Sequence, residues 1–158
     1  MNWVIDQSKK LSAHTYLDEV LAPLVEYIDS YNWILSDIEC GGDFSDLPID
    51  YDHEYFILSA QEFRRILSSR FQFWWGAILA VPISFEIKFD EENLPYVEGN
   101  THIFENGHIQ HPDAEIEIDC FDSGYTIVKF TNKTLSDKFK AYFEEALTID
   151  KFNSTFIK

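Results

Sequence analysis

Three histidines lie close together in the chain and belong to a residue type that commonly binds metal ions. His102, His108 and His111 fall within ten residues, and Asp113 follows the last of them. Imidazole nitrogens and a carboxylate oxygen are ordinary zinc ligands. The spacing H-x5-H-x2-H matches no standard metal motif, however, and loop histidines are more often solvated. A metal-dependent hydrolase that uses the three histidines is therefore kept only as an alternative, and we expect no metal and no cofactor.

Paired carboxylates offer a second route to catalysis. Glu115 and Glu117 are two residues apart, so on a β-strand they point to the same side. General acid catalysis requires one carboxyl group to be desolvated enough to keep its proton near neutral pH, and the sequence around this pair supplies no apolar pocket. The chain also lacks the G-x-S-x-G, P-loop, H-E-x-x-H and glycine-rich dinucleotide motifs. We therefore predict that it is not an enzyme.

Length and composition are typical of a folded domain with a large core. The chain has 158 residues, of which 46% are hydrophobic and 16% aromatic. A chain of this size buries about two-thirds of its unfolded-state surface. Its cysteines, Cys40 and Cys120, are 80 positions apart and form neither a redox pair nor a disulfide framework. The N-terminus has no apolar signal region, and the longest apolar stretch, residues 71–89, is interrupted by polar residues. We predict one cytoplasmic domain over residues 1–158, with reduced, buried thiols and no membrane-spanning segment.

Hydrophobic periodicity predicts the helices that build this domain. Apolar residues recur at three- and four-residue spacing over residues 15–31, where Pro23 predicts a kink or two short helices. Ser59 and Glu62 have the spacing of a capping box and open a second helix. A third amphipathic pattern covers residues 134–147. We expect about three helices.

Alternating and aromatic runs predict the strands. The best hairpin joins residues 115–121 to residues 125–131 through a short turn. On its first strand the apolar residues are expected to face the core, and three acidic residues are expected to face the solvent: Glu115, Glu117 and Asp119. The other predicted strands cover residues 32–40, 54–58, 71–79, 83–89 and 101–105, the last of them before a hairpin-type turn at Asn106-Gly107. This order of elements predicts an α+β domain with an antiparallel or mixed sheet flanked by the helices.

Acidic residues are concentrated in two segments. The chain has 28 Asp and Glu residues against 12 Lys and Arg, a formal net charge of -16. Residues 37–54 contain seven acidic residues and no lysine or arginine, and residues 86–122 contain eleven and only Lys88. Within the first segment, residues 41–52 have the aspartates, glycines and proline of a loop. Like charges at this density cost folding free energy by self-repulsion, so besides solubility they indicate a surface directed at a basic partner and exclude nucleic acid and anionic membranes as partners.

Several features of the whole chain match a known class of proteins. They are its small size, acidity and aromatic content, the segment Tyr31-Asn32-Trp33-Ile34 followed by Asp37-Ile38-Glu39, and the hairpin at residues 115–131 followed by a C-terminal helix. In these features the chain resembles the immunity proteins of bacterial contact-dependent inhibition and related polymorphic toxin systems. The resemblance implies tight, specific inhibition of a toxin made in the same cell, frequently a basic nuclease. It supplies no motif positions, so no site residue is transferred from the family.

An acidic surface suits an inhibitor of a nuclease. A nuclease site presents lysine, arginine or metal to attract phosphates, and carboxylates can occupy the same cleft. We therefore predict a partner-binding surface on the first acidic loop or on the hairpin, formed by Asp43, Asp46, Asp50 and Asp52, or by Glu115, Glu117 and Asp119. A DNA-mimic inhibitor is the second alternative, because it would share the acidity.

Overall fold

One antiparallel sheet of seven strands organises the protein. The computed structural model describes residues 1–50 and 52–156. The strands lie in the order β3-β2-β4-β5-β6-β1-β7, and their bounds are β1 Asn2–Ile5, β2 Tyr31–Gly41, β3 Tyr55–Leu58, β4 Gln72–Pro82, β5 Ile116–Phe121, β6 Tyr125–Phe130 and β7 Leu147–Thr148. The described helices are α1 Leu17–Val20, α2 Ala60–Ser69, α3 Lys133–Tyr142 and α4 Ile149–Ser154, with 3-10 helices at Ala22–Ser30 and Thr101–Phe104. The predicted α+β class with an antiparallel sheet is confirmed.

Helices cover one face of the sheet and bury the larger part of the core there. Side chains alternate between the two faces of a strand, so Trp33 and Leu35 of β2 lie on this helical face with Ile78 of β4. The ring of Trp33 stacks on Phe63 of α2 with the ring centroids 4.0 Å apart. Such a pair adds to the stabilisation that apolar burial already gives. The stacked pair therefore packs α2 directly against β2.

A long irregular segment covers the second face. Residues 83–115, which we call the strap, run from the end of β4 to the start of β5. With α4, the strap buries the other side of the sheet through residues such as Val97, Ile103 and Phe152. The predicted strands at residues 83–89 and 101–105 are wrong. Both neighbours of β4 in the sheet are already occupied, by β2 and β5, so the strap crosses the face instead of adding a strand.

The strap also lacks the predicted hairpin turn. Residues 101–104 form a 3-10 helix, in which the Asn100 side chain accepts a hydrogen bond from the His102 N–H. Gly107 has a φ of 85°, whereas Asn106 is not among the residues with positive φ. A type I′ turn requires positive φ at both of its central residues. The Asn106-Gly107 turn is therefore of another kind.

The terminal elements agree with the sequence in part. Pro23 lies at the start of the 3-10 helix Ala22–Ser30, directly after α1, so the prediction of two short helices is confirmed. The helix predicted for residues 134–147 ends at Tyr142, because the chain then extends to pair Leu147 and Thr148 with β1. The sequence analysis missed β1 and α4, which are four and six residues long.

The start of α2 is fixed by the predicted capping box. The Ser59 side chain accepts a hydrogen bond from the Glu62 N–H at 3.3 Å, and the Glu62 carboxylate accepts one from the Ser59 N–H at 2.8 Å. These two bonds satisfy N–H groups that have no partner within the helix. The helix ends at Arg70, which adopts the left-handed conformation of a C-cap. The capping box is confirmed.

Removal of this cap is expected to weaken the fold measurably. Ser59→Ala should lower the free energy of unfolding by about 1 kcal/mol, because the Glu62 N–H loses its acceptor. Urea denaturation followed by tryptophan fluorescence measures the change. Ser68→Ala on the same helix is the control, since the Ser68 hydroxyl donates only to the Arg64 carbonyl and its loss should change stability by less than about 0.5 kcal/mol. Equal effects of the two variants would contradict the role of the cap.

The described chain contains no candidate for a membrane-spanning helix. None of its helices combines the length and the apolar character that a bilayer crossing requires. Cys40 and Cys120 are both buried and are not joined in a disulfide, as predicted. Burial raises the pKa of the Cys120 thiol well above its usual value, so this thiol is a poor nucleophile.

Candidate functional site

Apolar side chains anchor the first acidic loop and leave its aspartates in solvent. Ile49 is buried, and Phe44 contacts the ring of Phe71 with the centroids 5.4 Å apart. Leu47 packs against the same core. Between these anchors the loop presents four exposed aspartates, Asp43, Asp46, Asp50 and Asp52. The prediction that this segment is a loop is confirmed.

Local hydrogen bonds favour the charged form of two of these aspartates. Asp43 accepts a bond from the Ser45 N–H at 3.0 Å, and this bond lowers the pKa of Asp43. Asp50 lies 2.8 Å from the His53 imidazole and accepts a bond from the Asp52 N–H at 2.9 Å. These contacts lower the pKa of Asp50 and raise that of His53. The loop therefore carries ionised carboxylates at neutral pH.

A bulge in β2 opens an acidic groove next to this loop. Asp37 has a φ of 55°, and the pairing between β2 and β4 shifts register between Ser36 and Glu39. A bulge bends the strand and redirects its side chains. The result is a groove of about 380 Å³, which we call the acidic groove. Its lining residues are Ser36, Asp37, Ile38, Glu39, Asp50, His53, Glu54, Leu94, Pro95 and Tyr96.

The strap forms one wall of the acidic groove. The Ser36 hydroxyl donates a hydrogen bond to the Pro95 carbonyl at 2.6 Å, and the Asp37 carboxylate accepts one from the Val97 N–H at 3.0 Å. Tyr96, between these two residues, is 45% exposed. The wall therefore offers an aromatic ring next to carboxylates, an arrangement that suits an arginine or lysine side chain.

The two acidic segments of the sequence meet at the edge of the sheet. Tyr55 of β3 contacts the ring of Phe89 and donates a hydrogen bond from its hydroxyl to Glu91 at 3.2 Å. This hydrogen bond raises the pKa of the Tyr55 hydroxyl. Glu91 is exposed and belongs to the second acidic segment, while Glu54 belongs to the first. The fold therefore places Glu91, at the start of the second segment, next to the end of the first.

The four loop aspartates do not converge on a single point. Asp50 lines the acidic groove, whereas Asp46 lies beside α2, where the Asp46 carbonyl accepts a hydrogen bond from Arg65. Within residues 1–50 and 52–156, no lysine or arginine forms an ion pair with any of the four. Glu39 and Glu54, which the sequence analysis did not select, flank Asp50 in the groove.

The predicted exposure of the hairpin carboxylates is wrong for two of the three. Glu117 and Asp119 are fully buried, because the strap covers the face on which they lie. Glu115 is half-buried and accepts hydrogen bonds from the Tyr31 hydroxyl at 2.7 Å and the Asn132 amide at 3.2 Å. Burial and the contact with Glu115 raise the pKa of Tyr31. These three carboxylates therefore form no exposed acidic surface, and the predicted surface is reduced to the loop.

Glu117 and Asp119 instead hold a buried lysine. The ammonium nitrogen of Lys129 lies 2.6 Å from Glu117 Oε1 and 3.0 Å from Asp119 Oδ2, and all three side chains are at most 1% exposed. Burial and the neighbouring Glu117 raise the pKa of Asp119 well above its usual value, and Lys129 opposes this shift only in part. Burial alone would lower the pKa of Lys129, but the two carboxylates raise it. We call these three residues the buried cluster.

The three histidines occupy different surroundings. His102 pairs with Glu105 at 2.7 Å, and its ring lies 5.5 Å from that of His108. His111 is buried, with one ring nitrogen 3.2 Å from the Lys88 carbonyl and the other accepting a hydrogen bond from the Asp113 N–H. Among the described residues, no three His, Cys, Asp or Glu side chains are placed to hold one metal ion.

Comparisons with known proteins give no relative for this chain: no family model, no curated protein and no solved structure matches it.

Proposed function

We propose that this protein is an immunity protein, which binds a basic toxin, most simply a nuclease domain, and neutralises it in the cytoplasm of the cell that makes both. One observation supports this above the others. The start of the second acidic segment lies beside the first at the edge of the sheet, and the loop aspartates have no lysine or arginine partner among the described residues. Unpaired carboxylates at this density repel one another, and the repulsion lowers the stability of the free protein. Binding of a basic partner reduces this repulsion.

The chemistry of a nuclease makes it a suitable partner. Its active site attracts phosphates and therefore presents cationic groups in a cleft. The exposed loop would enter such a cleft, with aspartates in the places of phosphates, while the acidic groove would accept a basic side chain from the cleft's rim. Complementary charge also raises association rates towards about 10⁸ to 10⁹ M⁻¹s⁻¹ at low salt. Fast capture is an advantage for an inhibitor that must act before the toxin does.

Affinity capture from the source cells tests the proposal. The wild-type protein and a variant with the four loop aspartates changed to asparagine are used as bait, with elution by a salt gradient. We expect the wild type to retain one basic protein in stoichiometric amount and the variant to lose it at lower salt, because each removed carboxylate weakens the electrostatic attraction. Expression of the recovered protein alone should arrest growth, and co-expression of the wild type should restore it.

A matched variant controls for net charge. Asp122, Asp137, Glu144 and Asp150 are exposed and lie outside the loop and the groove; their replacement by the corresponding amides removes the same four charges. This control should elute the partner at nearly the salt concentration of the wild type. Equal losses from both variants would contradict a loop-directed interface. A recovered partner that binds DNA but is harmless to cells would favour the DNA-mimic alternative instead.

A further inference from the structure

The buried cluster has an imbalance of charge that burial makes costly. It consists of two carboxyl groups and one ammonium group, all at most 1% exposed. If all three were ionised, the sheet and the strap would enclose one uncompensated negative charge, which proteins avoid by binding a proton. Among the described residues, Glu117 accepts three hydrogen bonds, two of them at 2.6 Å, whereas Asp119 accepts one at 3.4 Å, from the Gln110 amide, so its ionised form has less support. Asp119 is therefore the carboxyl group best placed to hold the extra proton.

A chain of hydrogen bonds joins the buried cluster to the acidic groove. The Gln110 N–H donates to Glu117 Oε2 at 2.6 Å, and the Gln110 amide lies 3.4 Å from Asp119 Oδ1. The Gln110 side-chain oxygen accepts hydrogen bonds from the Tyr96 N–H and from the Asn100 amide, each at 3.0 Å. Tyr96 and Pro95 form the strap wall of the groove. The path from the buried carboxylates to the groove wall therefore has a single intermediate, the side chain of Gln110.

We propose that the folded protein binds one proton at Asp119, that this proton holds the strap on the sheet, and that loss of the proton opens the wall of the acidic groove. In the open strap, water reaches the Asp119 carboxyl group, which then ionises as an ordinary aspartate. Opening therefore releases one proton, and rising pH favours it. The sign is opposite to that of common acid-labile carboxylates, because here the folded state holds the additional proton.

Few other charged groups face the cluster. Its neighbours on β4 are the apolar Ala77 and Leu79, and Asn2 of β1 lies opposite Lys129. In the strap, the group in contact is the neutral amide of Gln110, which in turn accepts a hydrogen bond from the Asn100 amide. The one buried titratable residue of the strap is His111, whose ring nitrogens are engaged with Lys88 and Asp113. A variant that changes Asp119 but retains His111 therefore separates an effect of the cluster from an effect of the histidine.

Hydrogen exchange measured from about pH 6 to about pH 9 tests the proposal on the isolated protein. Three backbone amides report on the strap: those of Tyr96, Val97 and Gln110. In the wild type their protection factors should fall by up to about tenfold per pH unit, because one proton leaves with each opening. Asp119→Asn keeps the shape and cannot ionise, so its strap protection should stay flat with pH. Amides paired between β2 and β4 should show no slope in either protein.

A control variant and a direct titration separate the outcomes. Asp137→Asn removes an exposed carboxylate that pairs with Lys133 on α3, and it should keep the wild-type slope. A flat wild-type profile, or an unchanged slope in Asp119→Asn, would overturn the proposal. If Asp119→Asn does not fold, carboxyl carbon chemical shifts of the wild type decide: Asp119 should have the shift of a protonated acid at neutral pH, and the shift of an ionised carboxylate would overturn the assignment.

The consequence for binding rests on the proposed function. If the acidic groove binds the protein recovered by affinity capture, that complex should weaken from pH 6 to pH 9 in step with strap opening, and the Asp119→Asn complex should not. If the immunity proposal is wrong, the exchange experiment still tests the opening of the strap, because it requires no partner. If the exchange experiment contradicts strap opening, the proposal that the loop aspartates bind the partner is unaffected.

Discussion

Lys129→Met should destabilise the protein by about 3 to 5 kcal/mol, one of the two largest effects that we expect from the structure. Methionine matches the length of the lysine stem, so the packing of β6 is largely kept. The loss comes from Glu117 and Asp119, which remain buried without the ammonium group that lies 2.6 and 3.0 Å from them. Chemical denaturation at neutral pH, read as a shift in the midpoint with an unchanged slope, measures the effect.

Two comparisons show whether the effect comes from buried charge. Lys133→Met removes the lysine of an exposed ion pair with Asp137 and should cost less than about 1 kcal/mol. At acidic pH, where Glu117 of Lys129→Met can take up a proton, part of the lost stability should return. A loss for Lys129→Met as small as that for Lys133→Met would mean that water reaches the cluster in the folded protein.

The positions of Glu117 and Asp119 show what the alternation pattern of a strand can and cannot predict. Alternation over residues 115–121 correctly predicts the strand and the face on which Ile116, Ile118 and Cys120 are buried. It also predicts that Glu117 and Asp119 share the other face, which is correct. The pattern cannot tell whether that second face is open to water, because a polar residue at every second position is typical of a solvated face and equally of a face covered around an ion pair.

The strap, which covers this face, was hard to predict from the sequence for a physical reason. The buried apolar residues of the strap, Val97 and Ile103 for example, follow neither helical nor strand periodicity along the sequence. Its conformation is held by side-chain bonds such as that from Val97 to Asp37, between residues 60 positions apart. Periodicity rules detect only regular local structure. In contrast, α2 has a capping box and an amphipathic face within ten residues, and its start was predicted.

The same distinction applies to the candidate site. The acidic loop was predicted because aspartate, glycine and proline exclude regular structure locally. The acidic groove was not predicted, since it requires a bulge at Asp37 and the approach of Pro95 and Tyr96. The second of these depends on the packing of the strap over the sheet. The sequence thus identifies the charge, whereas the fold determines which carboxylates share a surface.

Reversal of the loop charge should have the largest effect on binding. A variant with lysine at positions 43, 46, 50 and 52 should associate with the protein recovered by affinity capture about tenfold to a thousandfold more slowly at low ionic strength, because the steering field at the loop changes sign. The side chains are exposed, so folding should be preserved, and circular dichroism checks this. Stopped-flow association measured over a range of salt concentrations gives the rate constants.

Salt and a second variant distinguish local steering from net charge. At about 1 M salt the Debye length falls to about 3 Å, so the association rates of wild type and variant should approach each other. Lysine at positions 122, 137, 144 and 150 changes the net charge by the same amount away from the loop. Because exposed charges more than a Debye length from an interface are screened, this second variant should associate at nearly the wild-type rate at physiological salt. If the two variants slowed association equally at that salt, the partner would respond to the net charge of the molecule, and the loop would lose its place as the binding surface.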